Sequence, residues 1–424
     1  METTEQLSAR TLRRVSCRLL PFLFALYVFA YLDRVNVGYA ALFIRRELDF
    51  SDTVYGTGAG LFFLSYALFE VPSNLVLLRL GPRRWIGALM VVWGVISASM
   101  PLVRTPSEFY LLRFLLGAAE AGFFPGIILY LTYWFPQKQR ARAVALFMAA
   151  TAIAGVIGAP LSGLLLRLDG VAGVAGWKWL FVGEGLPSVL LGALVFLVLT
   201  DSPERAAWLG PDERTWLTET LAAEQVSISA SHSVHLRDVW RNAVLWQLAF
   251  IYFAISVALY SLSLWLPVVL KQLSRASDLR VILLTVIPYL LAAIAMLLIA
   301  RSSDEKQERR WHLFASLTGA AAGFGLSVVL QSPWVAMSAL FLAAAGVWGC
   351  FGPFWALPTA MLRGTAAAGG IAIINSVGAL GGFCGPYLMG RVSDATHSFH
   401  AALTASTGLL LIAALVAIRL RIRP

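Results

Sequence analysis

The sequence predicts an all-α membrane protein: twelve transmembrane helices in two six-helix, pseudo-symmetric bundles, with both termini cytoplasmic. Three observations predict it. Of 424 residues, 59% are hydrophobic and 13% charged, where a soluble chain carries about 25% charged residues; the apolar residues come in membrane-length blocks. With the N-terminus inside, the inner segments carry more than twice the Lys and Arg of the outer loops, the asymmetry that orients membrane helices. The chain also repeats its landmarks at an offset near 226 residues.

The blocks follow in order. The first span, 19–42, comes after Arg10, Arg13, Arg14 and Arg18. That start imitates a signal peptide, but the run is too long for one and eleven spans follow, so it is expected to be a retained helix. Spans two and three, 54–78 and 85–102, flank a basic turn at Arg83-Arg84. Spans four, five and six cover 109–134, 143–166 and 178–200. The longest polar stretch, Asp201 to Trp240, separates the halves. Within it Pro211-Asp-Glu-Arg starts a short surface helix, because Pro suits a first turn and acids favour the N-terminal dipole. Ser227 to Ser233 reads as a flexible tether. Spans seven to twelve cover 242–270, 281–300, 311–330, 334–362, 366–390 and 399–419. The domain organisation is therefore a first bundle in 1–200, a central cytoplasmic loop in 201–240 and a second bundle in 241–424.

Three landmarks carry the repeat. Arg83-Arg84 recurs as Arg309-Arg310, Gly155 to Gly163 recurs as Gly382 to Gly390, and Phe124-Pro125-Gly126 faces Gly352-Pro353-Phe354. Six-plus-six repeats place a substrate site between the halves near the membrane midplane. The glycines of spans five and eleven serve close helix packing or a gating hinge, with Pro160 and Pro386 able to bend each span.

Four charges interrupt apolar spans of the first half. Asp33 and Arg34 lie in span one, Arg113 and Glu120 in span four. A charge near the bilayer centre costs roughly 2.5–3.5 kcal/mol, so it is seldom left there without a use. Arg113 and Glu120 share one helix face about 10 Å apart. Asp33 and Arg34 point about 100° apart, so one can face a cavity while the other braces a neighbouring helix. The pattern suits a site that binds an anion and carries protons; a static ion-pair network is the alternative. Spans seven to twelve hold no internal Lys, Arg, Asp or Glu, so the second half offers neutral groups: Gln247, Tyr260, Ser261, Trp265, Trp355, Asn375 and Ser376. Glu70 is expected to latch the Arg83 loop and Glu184 to be a structural partner in the outer half of span six. Tyr31, Tyr66, Tyr130, Trp265 and Trp355 lie well inside spans, where aromatics pack or sandwich a substrate. His232, His235, His312, His397 and His400 all fall in loops or at span ends. Cys17, Cys350 and Cys384 have no metal-ligand spacing, and neither a metal site nor a disulfide framework is expected. The net charge of +10 is explained by its membrane-side placement rather than by nucleic acid.

Several stretches are specific to one family. They are Tyr31-Leu-Asp-Arg-Val-Asn36, Phe62 to Asn74 containing Phe-Glu70-Val-Pro, Arg113-Phe-Leu-Leu-Gly-Ala-Ala-Glu120-Ala-Gly122, Gly176-Trp-Lys-Trp-Leu-Phe181, Phe354-Trp-Ala-Leu-Pro358 and Ile374-Asn375-Ser-Val-Gly378 running to Gly385-Pro386-Tyr. Over almost its whole length the chain resembles the major facilitator superfamily, in its anion:cation symporter branch of organic-acid permeases. The resemblance implies proton-coupled uptake of carboxylates such as sugar acids, tartrate-like acids or aromatic acids. It implies that Asp33 and Glu120 handle protons, that Arg113 binds the substrate carboxylate with Arg34 supporting the charge network, and that Tyr31, Tyr66, Trp355 and Asn375 line the pocket. Arg83, Arg84, Asp304, Arg309 and Arg310 match the family's gating loops. Two departures stand out. The first loop signature has Leu78 in place of an acid and Asn74 in place of a glycine, and Gly352, Phe354 and Thr151 stand where some sugar-acid members carry hydroxyls and an amide.

The expected function is a proton:organic-carboxylate symporter of a bacterial-type inner membrane, working by alternating access as a monomer, without cofactor and without nucleic acid. Its partners are a small organic acid, protons and the lipid bilayer. A proton-coupled efflux antiporter on the same fold is the first rival; a membrane enzyme or sensor is the second, though no nucleophile–base pair or metal cluster supports it. The sparse hydroxyls of span ten point to an acid with an apolar or aromatic body, or few hydroxyls, over a six-carbon sugar acid.

Overall fold

The computed structural model describes residues 3–229, 242–330, 332–361 and 365–420, with twelve helices long and apolar enough to cross a membrane among them. Most of the expected tether and both His232 and His235 lie outside these residues. The first half comprises α1 (Thr4–Glu47), α2 (Asp52–Leu80), α3 (Pro82–Ala98), α4 (Pro106–Glu120), α5 (Phe123–Thr132), α6 (Gln137–Leu166) and α7 (Gly176–Val198). A surface helix α8 (Pro211–Ser229) follows. The second half comprises α9 (Ala243–Ser274), α10 (Asp278–Leu284), α11 (Val286–Glu305), α12 (Arg310–Val329), α13 (Pro333–Gly349), α14 (Phe351–Met361), α15 (Thr365–Thr396) and α16 (His400–Arg419). Spans four, eight and ten are each split in two: α4/α5, α10/α11 and α13/α14.

The three splits have one cause. Pro125, Pro288 and Pro353 each stand four residues beyond a residue at the end of the preceding helix: the C-cap Ala121, and the last helical residues Leu284 and Gly349. A proline lacks the N–H that would bond that carbonyl, and its ring pushes the carbonyl aside. All three joints lie in spans that flank the interface between the halves.

The first helix starts far earlier than hydropathy predicts. Thr3 caps it, accepting from the Gln6 N–H while the Gln6 side chain reaches back to the Thr3 N–H, a capping box that starts a helix in polar sequence. The 44-residue helix is roughly 66 Å long, so about half of it projects from the bilayer. The projecting turn is tied to α8: Arg10 Nε and Arg14 Nη1 donate to Glu213 at 3.2 and 2.9 Å. Burial raises the Glu213 carboxyl, but the Gly210 N–H with Arg14 and Arg10 outweighs it and holds the group below the usual glutamate range.

Within the first half, α3 packs along α7, α2 along α4, and α1 along α6 and α7. Within the second, α9 packs along α15, and α12 along α13 and α16. The halves meet along α2/α15, α1/α9 and α6/α11. Both loop arginines tie equivalent corners. Arg83 donates to Phe196 O at the end of α7, and its N–H to Asp201 at 3.1 Å; Arg310 donates to Ile418 O at the end of α16 at 2.6 Å. A cation on the last carbonyls of a helix is favoured by the dipole. Arg309 pairs with Asp304 at 2.5 Å, and Arg84 is exposed.

The Glu213 anchor should contribute about 0.2–1 kcal/mol per arginine, since both arginines are half exposed. Because the folded carboxyl sits below its unfolded value, that contribution is complete at neutral pH and is lost as the pH falls through the glutamate range and below. Glu213→Gln is expected to raise amide exchange in α8 at pH 7 while leaving α9 unchanged. Acidified wild type should approach the variant; equal exchange at both pH values would show that the anchor does not hold α8.

A charged cavity between the halves

The cavity is built from single helical stripes. Tyr27, Tyr31 and Arg34 of α1, Tyr252, Ser256 and Tyr260 of α9, and Trp348, Gly352 and Trp355 of α13/α14 recur at three- and four-residue spacing, so each helix turns one face inward. Phe63 and Tyr66 of α2, Phe124 of α5 and Asn375 of α15 complete the wall around about 320 Å³. The lining is mostly aromatic: Tyr252 stacks on Phe354 at 5.1 Å and meets Trp355 edge-on at 4.9 Å, while Phe63 and Tyr260 lie 3.9 Å apart across the two halves.

Arg34 is the cation in this wall. Its Nη2 and Nε donate to Glu120 Oε2 at 3.0 and 3.3 Å, and its guanidinium lies 5.2 Å from the Tyr66 ring. Glu120 is fully buried and its Oε1 makes no hydrogen bond. Arg113 does not line the cavity. It is fully buried behind Phe62, whose ring lies 5.4 Å from Arg34 and 5.0 Å from Arg113. Its Nη2 donates to Ala59 O at 3.3 Å, and Nε and Nη1 have no partner. The expected order, with Arg113 on the substrate and Arg34 behind it, is thus reversed in this geometry. Rotation about span one decides it: Arg34 shares the face of Tyr27 and Tyr31, whereas Phe62 fills the space in front of Arg113.

Asp33 faces away from the cavity into the first bundle. Ser97 Oγ of α3 and Ser188 Oγ of α7 donate to its two oxygens at 2.7 and 2.5 Å. Glu70 does not latch the Arg83 loop, whose arginine is spent on Phe196 and Asp201. Its Oε1 accepts from Asn375 Nδ2 at 2.7 Å, a bond between the halves. Of the neutral groups expected from the second half, Tyr260, Trp355 and Asn375 line the cavity; Gln247, Ser261 and Ser376 do not. Trp265 lies outside it, donating to Pro386 O at 3.2 Å and meeting Tyr55 edge-on. Tyr130 donates to Thr200 O at 2.8 Å, and Phe354 backs the wall behind Tyr252. Tyr27, Tyr252, Ser256 and Trp348 were missed; the spacing Tyr252–Ser256–Tyr260 was the available signal.

The cavity is sealed at the face opposite the chain termini. Tyr55 Oη donates to Leu264 O at 2.8 Å, joining α2 to α9. Asp394 of α15 accepts the Asp52 and Thr53 N–H groups at 3.0 and 2.7 Å, and so caps the N-terminus of α2 from the other half. Ser393 Oγ donates to Asp52 at 2.5 Å. The helices touch backbone to backbone: a Cβ on Gly390 would stand 2.2 Å from Asp52 O, and one on Gly56 2.4 Å from Pro386 O.

Two pseudo-symmetric six-helix bundles around a central charged cavity, closed at one face by bonds between the bundles, define a membrane transporter. The chain belongs to the Major Facilitator Superfamily, whose family model matches residues 23–386. It is 47% identical over 416 residues, 97% of this chain and 92% of the relative, to an Agrobacterium vitis protein named "Putative tartrate transporter". It is 41% identical over 393 residues, 92% of this chain and 90% of the relative, to the quinolone resistance transporter of Acinetobacter baumannii. The fold matches the crystal structure of a bacterial homologue of the human lysosomal transporter Spinster with a TM-score of 0.78, at 18% identity and 96% coverage of both chains.

Proposed function

We propose that this transporter carries a small organic carboxylate, of the tartrate type or with an aromatic body, into the cell together with protons. The carrying observation is the Arg34–Glu120 pair: a cavity-facing guanidinium whose fork is occupied by one carboxylate oxygen. Protonating Glu120 removes the charge that holds Arg34. The fork is then released for a substrate carboxylate, which it binds through two parallel bonds. Loss of the proton restores the Arg34–Glu120 pair and displaces the anion. Asp33, one residue away and set into the bundle, is the second proton group. Arg113 adds positive field from behind Phe62. The aromatic wall takes the body of the acid, and Asn375 bonds its polar edge. The name shared by the Agrobacterium relative supports the substrate class.

The charge asymmetry of the loops puts the terminal face in the cytoplasm. On this reading the sealed face is external, and the cavity opens inward across a bacterial-type inner membrane. Proton coupling also answers an energetic problem: an inside-negative potential opposes entry of a lone anion by about 2.3 kcal/mol per charge per 100 mV.

The Acinetobacter relative favours a second reading, proton-driven efflux of an aromatic drug. The aromatic lining suits a planar ring, while Arg34 disfavours a cation. The direction of proton flux relative to the substrate decides between the two: in proteoliposomes, tartrate added outside should draw protons in with it, whereas a drug added outside that enters while protons leave would support the antiporter.

Arg34→Lys should weaken carboxylate binding roughly ten- to a hundredfold by calorimetry, because an ammonium cannot copy a guanidinium fork. Arg113→Lys should cost less; the opposite order would place the carboxylate on Arg113. Glu120→Gln should still bind substrate yet fail to accumulate it under a pH gradient, since the amide cannot release a proton. Accumulation by that variant would remove Glu120 from the coupling. In competition uptake, tartrate and benzoate-like acids should outcompete gluconate. Gluconate winning would reject the substrate class and leave the transporter in place.

A further inference from the structure

A second buried carboxyl lies outside the cavity. Glu184 of α7 is fully buried; Ser162 Oγ of α6 donates to its Oε1 at 2.8 Å, and its Oε2 has no partner. Among the described residues no lysine, arginine or histidine pairs with it, and the charged group facing it is Asp33 of α1. The Asn36 amide of α1 lies beside Glu184. Tyr39 of α1 also faces Glu184, and Tyr289 of α11 reaches Tyr39 from the other half. Trp93 and Ser97 face the cluster from α3 by way of Asp33.

These groups form two rungs. Asp33 and Asn36 are one turn apart on α1, and Ser188 and Glu184 one turn apart on α7. The helices run antiparallel, so Asp33 meets Ser188 while Asn36 meets Glu184, about 5 Å nearer the sealed face. Glu120 faces Asp33 from the cavity side. Three carboxyls thus descend from the sealed face toward the cavity: Glu184, Asp33, Glu120. A hydrogen bond between α6 and α7 needs no charge, and a glutamine would make it. A buried carboxyl met by a hydroxyl and an amide but, among the described residues, by no cation is instead a group whose charge is removed by taking a proton.

We propose that Glu184 is a proton-carrying group of the transport cycle, receiving protons from the sealed-face side and passing them to Asp33 along a line inside the first bundle, separate from the substrate cavity. Ser188, one turn from Glu184 and already donating to Asp33 Oδ2, carries the step once the Glu184 carboxyl swings from Ser162 onto it: as the Ser188 hydroxyl proton moves to Asp33 Oδ2, its oxygen accepts the proton of Glu184. Asp33 becomes neutral, Glu184 becomes a carboxylate, and no proton is gained or lost. The proposal rests on the reading of Asp33 as a proton group.

The test compares Glu184→Gln, Ser188→Ala, Glu184→Asp and Asp33→Asn in proteoliposomes with an inward-directed proton gradient and radiolabelled tartrate. Thermal stabilisation by tartrate controls for folding and binding. Glu184→Gln should keep that stabilisation but lose at least tenfold in gradient-driven accumulation, with an uptake rate no longer rising as external pH falls. Ser188→Ala should slow uptake, and Glu184→Asp should restore the pH dependence. Infrared difference spectra of the tartrate-free protein between acid and alkaline pH should lose one carboxylic-acid band in Glu184→Gln. If Asp33→Asn loses accumulation while Glu184→Gln keeps it, or if Glu184→Gln loses tartrate stabilisation too, or if no band is lost, the proposal is overturned and the reading of Asp33 stands. If Asp33→Asn itself accumulates tartrate, both fall.

Discussion

A guanidinium facing a cavity inside a membrane is costly without a counter-charge, and Glu120 supplies the one that holds Arg34. The pair links span one to span four across the first bundle and places a strong donor at the cavity wall. Breaking a buried pair by removing one partner leaves an uncompensated charge, which is far more costly than never having the pair. The rest of the site accommodates that constraint. Phe62 separates the two guanidinium groups, Tyr66 offers Arg34 the face of its ring, and Asp33 is turned away to two serine hydroxyls rather than competing for the arginine.

The seal opposite the termini is of another kind. It combines the buried Tyr55–Trp265 contact with hydroxyls and bare backbone, and Asp394 caps a helix that belongs to the other half. Glycine at 390 and 56 is what permits such contact, since any Cβ would collide with a carbonyl. The corner ties at Arg83 and Arg310 differ in kind, since each lies within one half.

Much of this was legible in sequence because the membrane restricts the chain so tightly. Twelve spans, the internal repeat and the four buried charges follow from hydropathy and from the expense of burying charge. The start of α1 was not legible, since Thr3 and Gln6 make a helix where hydropathy sees only polar residues. The split spans were half visible: the prolines are plain, but a proline inside a helix bends or breaks it according to its neighbours, and Pro72 and Pro187 break nothing. Least legible was which arginine meets the cavity. Arg34 and Arg113 differ by the rotation of two helices and by one phenylalanine, and rotation is fixed by packing between spans rather than within either. Glu70 failed for the same reason, because its partner Asn375 lies in the other half, about three hundred positions away.

The charges of the cavity region belong to one half, while the other presents an uncharged aromatic wall. The two sides therefore ask different questions of a molecule between them. On the proposed function, the first half would meet the negative end of the substrate and the second the body that remains. Shape preference can change through Tyr252, Trp348 or Trp355 while Arg34 and Glu120 are left alone. A scaffold divided in this way can change what it carries by altering one half and leaving the charged groups of the other in place.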